Sequence, residues 1–275
     1  MNNIYLSYSG RKTYLTCPKR YKLIHIDNKL EISDRRSSLF GIVIGKVFEW
    51  FYERRFWAEP DAIQASLNSI DVALQTALDR DKIQIDNEFK EKLLTELKYY
   101  ITYGIKTIKD NKLLSPNSRS EVKLDTLYRF DDLEIKIGGR ADFIHIDAGK
   151  IWILDGKGSQ WRDKYVDPDQ LIWYAAQFFL KYHIAPSRLG FIFWKFPEDP
   201  IQWISYNDDS IRVNLRQTVN VIKQIIKGEF DSQPTSYCNL CGYAQQCEEG
   251  TSYIAARKLI KTGRIQNSVL DIETI

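Results

Sequence analysis

The chain has 275 residues, 44% hydrophobic and 27% charged, with a net charge of +3. That length buries a real core and that composition is ordinary for a globular protein, while no apolar run approaches the roughly 20 residues needed to cross a bilayer. The near-neutral charge leaves partners open, because basic DNA-binding patches and an acidic metal site would cancel in the sum. The first residues, Met-Asn-Asn-Ile-Tyr-Leu-Ser, have neither a basic start nor an apolar stretch, so no secretory leader is read and a cytoplasmic location is expected. In such a compartment the four cysteines are expected to ligate a metal or cluster rather than form disulfides.

In chain order, Val43, Val47, Trp50 and Phe51 recur at helical spacing, which predicts a helix from Ser38 to Trp57. Further helices are expected from Asp61 to Asp79 and from Asn87 to Asp110. The pattern then changes to strands. Val122 to Phe130 and Leu133 to Ile137 read as extended, separated by a turn at Asp131-Asp132, and Arg140 to Ile146 leads through Asp147-Ala148-Gly149-Lys150 into the apolar run Ile151 to Leu154. Asp167-Pro168 has the form of a helix start, with Asp as N-cap and Pro at the first helical position, and that helix should run to Tyr182. A buried strand follows from Leu189 to Lys195, then a helix from Asn207 to Lys227 closed by Gly228. Helices first, then a hairpin-rich sheet with a crossover helix, predict a single α/β domain with a helical part over about 1–115, a core over about 116–230 and a cysteine segment over about 231–275.

Side chains alternate along a strand, so Asp155 and Lys157 emerge on one side, and Arg140, Asp142 and Ile144 share a face of the preceding strand. If those strands pair, Asp142 and Asp155 come within reach of one divalent ion. Two carboxylates holding Mg²⁺ or Mn²⁺ beside a lysine suit phosphodiester hydrolysis. A surface salt bridge is the alternative for Asp155 and Lys157 taken alone. On the following helix Gln170 and Tyr174 stand at i and i+4, with Gln177 a further turn along, so an amide and a phenol face the same cleft. Basic residues cluster at Lys12, Lys19, Arg20 and Lys22, and again at Lys106, Lys109 and Lys112, as solvated faces or as phosphate contacts.

Cys17 lies near the N-terminus, whereas Cys238, Cys241 and Cys247 crowd near the C-terminus. Four thiolates so spaced could hold tetrahedral zinc or a 4Fe–4S cluster. Either would close a very long loop and stabilise chiefly by restricting the unfolded chain.

In order, Gly139-Arg140-Ala141-Asp142, Asp155-Gly156-Lys157 and Gln170-x-x-x-Tyr174 resemble the RecB-like branch of the PD-(D/E)XK nuclease superfamily. The cysteines, Cys17 in Thr-Cys-Pro-Lys-Arg-Tyr and Cys238-x2-Cys241-Gly-Tyr-x3-Cys247, resemble its iron–sulfur subset, which includes the CRISPR-adaptation exonucleases and the nuclease domain of AddB. The resemblance covers Tyr8 to about Cys247. It implies a restriction-endonuclease-like mixed sheet core with flanking helices, its termini joined by a four-cysteine cluster. It also implies metal ligation by Asp142, Asp155 and the carbonyl of Gly156, a catalytic Lys157, and Gln170 and Tyr174 supporting the site and touching DNA. The cysteines are then expected to carry a 4Fe–4S cluster with a structural role.

One position departs from the family. Where it carries a metal-binding histidine four residues after a glycine, Gly41 is followed by Gly45, and none of His25, His145 and His183 falls there. Glu49, a helical turn further on, could reach the metal or be an ordinary exposed glutamate. By strand alternation His145 should face away from Asp142.

Arg140 is expected at DNA, and Trp161 and Tyr165 either stack on bases of single-stranded DNA or pack their loop onto the body. The resemblance thus implies a metal-dependent DNA exonuclease acting on single-stranded ends in replication, recombination or repair, alone or with partner proteins. A CRISPR-adaptation nuclease that trims spacer precursors, or a non-catalytic iron–sulfur DNA-binding module, are the alternatives.

Overall fold

The computed structural model describes residues 4–29, 35–131, 133–159, 161–162 and 166–261. It divides into two compact units, one drawn from Met1–Tyr8 and Asp34–Val219, the other from Ser9–Ser33 and Asn220–Ile275. The architecture is mixed α/β, with two sheets and flanking helices.

The first unit contains both sheets. Strands β1 (Ile4–Ser7), β4 (Leu133–Gly138) and β3 (Thr126–Phe130) form one, in the order β1-β4-β3, with β1 parallel and β3 antiparallel to β4. The larger sheet runs β2 (Arg119–Lys123), β5 (Arg140–Asp147), β6 (Lys150–Lys157), β7 (Arg188–Phe193) and β8 (Ile201–Ile204), parallel only between β6 and β7. The β5–β6 hairpin turns at Ala148 and Gly149, both at positive φ, which gives the two-residue turn whose twist suits antiparallel strands.

The extended run read from Val122 to Phe130 is divided between the two sheets. The chain crosses at Leu124-Asp125, where fully buried Leu124 donates its N–H to the Gly139 carbonyl at 2.9 Å. That hydrogen bond takes Leu124 out of either ladder and anchors it beneath the matching crossover from β4 to β5.

One face of the larger sheet meets α3 (Leu39–Glu53) at β2, and α5 (Ile70–Asp81) and α6 (Asn87–Asp110) pack against α3. Val43, Val47 and Phe51 of α3 are wholly buried and share a core with Leu97 and Ile101 of α6 and with Phe143, Leu154 and Ile192 of the sheet. The other face receives α7 (Pro168–Tyr182), which packs against β3, β6 and β7.

Two helices differ from their expected spans, and a third, α7, has the expected span with a different cap. The helix expected from Ser38 to Trp57 stops at Glu53, because Arg55 adopts a left-handed backbone. The one expected from Asp61 to Asp79 is broken into α4 (Ala62–Leu67) and α5. At the break the Ser66 and Ser69 hydroxyls donate to the Ala62 and Ser66 carbonyls, a local competition with the helical ladder. At α7, Asp167 takes the N-cap position and Pro168 the first turn, but the Asp167 carboxylate makes no cap hydrogen bond and accepts from the Tyr8 hydroxyl at 2.5 Å.

The second unit holds α1 (Tyr8–Thr16, from Ser9 on), α2 (Pro18–His25), the last turns of α8 (Asp208–Lys227) and α9 (Glu248–Lys261). Tyr14 donates to the Glu229 carbonyl at 2.6 Å and meets Tyr21 edge-on, while fully buried Tyr243 donates to the Lys29 carbonyl at 2.6 Å.

Candidate active site

Strand register builds the site. In β5–β6 Phe143 faces Leu154, and continuing that register by one residue sets Asp142 opposite Asp155. On the other side of β5, Ser120 pairs with Phe143 and Val122 with Ala141, so Glu121 falls opposite Asp142. Three acids therefore stand in one row across β2, β5 and β6.

Their surroundings differ. Asp155 is buried, its Oδ2 lying 2.6 Å from Lys157 Nζ and its Oδ1 accepting from Gln170 Nε2 at 2.8 Å. Asp142 accepts the Gly156 N–H at 2.8 Å and lines an open cleft of about 400 Å³. Burial pushes the Asp142 carboxyl well above the usual carboxylate range, and the Asp155 charge adds to it. Burial also raises Asp155, against the opposing pull of the Lys157 ammonium. Glu121 is raised by burial too, with the Arg140 guanidinium 3.4 Å away acting against it.

Gln170 braces the centre. It accepts from Lys157 Nζ at 2.9 Å and donates to Asp155 and to the Tyr174 hydroxyl, the latter at 3.1 Å. Its amide thus supports the site, as expected of it. Burial raises the Tyr174 phenol. Gln177, a turn further on, is fully buried with no hydrogen-bond partner on either amide atom, and its Oε1 stands where a Cβ on Gly139 would clash. On the opposite side of β6 the Trp194 indole lies over Gly156, and a Cβ there would stand 2.8 Å from its Nε1. Only glycine fits between Asp155 and Lys157.

The cleft also takes Gly45, Lys46 and Glu49 from α3 and Arg140 from β5. Glu49 is half-buried rather than exposed, and pairs with Lys46 at 2.5 Å. Gly45 has nothing within 4 Å of an added Cβ, so the departure from the family leaves open space. His145 lies away from the acids, buried with its Nδ1 2.9 Å from the Ser118 hydroxyl, and burial lowers its pKa. Trp161 is 58% exposed, and Tyr165 lies outside the described residues.

Glu121 escaped the sequence reading. In Ser-Glu-Val-Lys it has the form of a solvated strand acid; its place in the row depends on register and on a left-handed backbone, φ +52°.

In the second unit Cys17, Cys238, Cys241 and Cys247 form no disulfide and line one cavity of about 30 Å³. Cys17 separates α1 from α2, and Cys247 precedes α9. Cys247 Sγ lies 3.3 Å from Glu249, whose carboxyl the Lys19 ammonium draws down to about 2. Among the described residues no group of three or more His, Cys, Asp or Glu side chains is gathered to hold a single metal ion. Nor, among them, is any helix long and apolar enough to cross a membrane.

A search of curated proteins returns no match. Among solved structures the chain is similar to the crystal structure of SSO0001, at 18% identity and a TM-score of 0.35, over 59% of this chain and 78% of that one. A likeness at that score carries no argument. A family model described as the PD-(D/E)XK nuclease superfamily matches residues 5–248, well over half of the chain and through both units. Membership of that superfamily implies a metal-dependent nuclease. The chain belongs to the PD-(D/E)XK nuclease superfamily.

Proposed function

We propose that the protein is a DNA exonuclease of the RecB-like, iron–sulfur type, dependent on Mg²⁺ or Mn²⁺ and acting in the cytoplasm on single-stranded ends during replication, recombination or repair. The observation that carries this reading is the Asp155–Lys157 ion pair, braced by Gln170, on the strand next to Asp142, which lines an open cleft.

Asp142, Asp155 and the Gly156 carbonyl would hold the divalent ion, with Glu49 approaching from α3. Two desolvated carboxylates side by side fit such an ion, because each raises the cost of ionising the other and a cation removes that cost. Mg²⁺ keeps several waters and binds through one or two carboxylates, so a cage of three acidic side chains is not required. When bound, the metal polarises the phosphate and lowers the pKa of its water. Lys157, held by Gln170, stabilises charge developing on the phosphate, and Tyr174 fixes Gln170. Arg140, exposed at the mouth, contacts the backbone of the strand.

Cys17, Cys238, Cys241 and Cys247 would hold a 4Fe–4S cluster. Zinc needs four sulfurs about 2.3 Å from one point. Four thiols that line one cavity could serve either group, and the cysteine spacing that resembles the iron–sulfur subset favours the cluster. We read the chain as one nuclease domain, since the family match runs through both units.

Linear and circular single-stranded DNA of equal length, each incubated with the protein and Mn²⁺, test the exonuclease reading. Degradation of the linear form alone is expected. Equal cutting of the circle would make the enzyme an endonuclease instead.

A further inference from the structure

Helix α6 presents Lys92, Glu96, Tyr99, Tyr103 and Lys106 on a single stripe, spaced by three and four residues. Tyr99 is half exposed, and its ring lies 4.6 Å from that of Tyr103 and 4.9 Å from that of Tyr100. Tyr100 meets Phe40 edge-on at 5.8 Å, and the Phe40 ring rests against Gly158, the residue after Lys157. An unbroken run of rings therefore leads from the surface of α6 to the end of the catalytic strand.

The charges along it are placed unevenly. Lys106 lies over Tyr103 at 5.4 Å and is exposed. Lys195 lies over Phe40 and Tyr100, but Glu96 neutralises it. The Glu198 charge adds to a rise in the Tyr99 phenol whose first cause is a hydrogen bond with Tyr103. The Glu198 charge beside Tyr99 disfavours phosphate there, so contact falls to ring faces, with Lys106 placed over Tyr103 for the backbone.

Resting on the nuclease reading above, we propose that Tyr99 and Tyr103 form a stacking track for the bases of single-stranded DNA entering the cleft. Every base has a π-face, so such a track accepts any sequence, and it requires bases that are not already paired. Tyr100 and Phe40, largely buried, root the exposed rings against the body.

The test is fluorescence anisotropy with labelled oligothymidylate and with an abasic oligonucleotide of equal length. The full chain carrying Lys157→Ala prevents cleavage during the measurement. Adding Tyr99→Ala and Tyr103→Ala should weaken oligothymidylate binding about tenfold or more and leave abasic binding unchanged. Tyr99→Phe with Tyr103→Phe, which keeps the rings, should bind like the parent. Equal weakening on both oligonucleotides, or no change on either, overturns the track. If wild-type protein still shortens DNA in that case, the nuclease reading stands without it. A parent that binds no single strand overturns the track and the single-strand preference together.

Discussion

Lys157 meets Asp155 at 2.6 Å and Gln170 at 2.9 Å, so its ammonium is placed by two partners before any substrate arrives. Removing the amide should leave the lysine charged but poorly aimed. Gln170→Ala is expected to lower kcat about 10–100-fold with little change in KM, measured on end-labelled DNA, because positioning acts on the transition state. The acids make a second prediction. A carboxyl whose pKa is raised by folding stabilises the native state below its unfolded value, and that contribution is lost as pH rises through the folded value. Asp142 and Asp155 are both raised, so metal-free protein is penalised at neutral and alkaline pH. Mn²⁺ should raise the Tm more at pH 8 than at pH 5. Asp142→Asn should raise the metal-free Tm at pH 8 and abolish the metal effect; an unchanged metal effect in that variant would contradict the ligand assignment. At this scale the acids and the lysine were legible because strand alternation alone sets Asp155 and Lys157 on one side. Glu121 was not, since its place opposite Asp142 comes from pairing with a distant strand.

Helix α6 begins and ends where the sequence placed it; Asp86 fixes the start by accepting the Phe89 N–H at 2.8 Å. The break between α4 and α5 was not legible: both halves keep helical spacing, and the interruption is made by serine hydroxyls that choose local carbonyls. β8 and α9 carry too little pattern to stand out, with β8 four residues long. In α3 the informative position is Gly45, interior to the helix, on the cleft, and open. Glycine in a helix interior costs about 1 kcal/mol relative to alanine, so Gly45→Ala should stabilise the protein by up to about that amount in denaturant unfolding. Gly45→His would put an imidazole on the acid side of the same cleft and should tighten Mn²⁺ binding in calorimetry. Loss of stability in Gly45→Ala would mean that the space is needed by something else.

For the whole molecule, the cysteines line one cavity within the second unit, where a cluster of the kind proposed would tie the N-terminal helices to the C-terminal segment, while the acids belong wholly to the first. Their grouping was legible as spacing; that they share one cavity required the fold. A crosslink closing so long a loop is worth on the order of 5 kcal/mol by chain entropy. Cys17→Ala should therefore lose the cluster's visible absorption and lower the Tm by several degrees in protein purified without oxygen. Retention of iron and Tm would remove the structural role. The central claim concerns the first unit, and end-labelled single-stranded DNA with Mg²⁺ or Mn²⁺ addresses it most directly, wild type beside Lys157→Ala. Metal-dependent shortening that disappears in the variant is the predicted result. Binding without cleavage in either metal, or cleavage that survives the loss of Lys157, would contradict it.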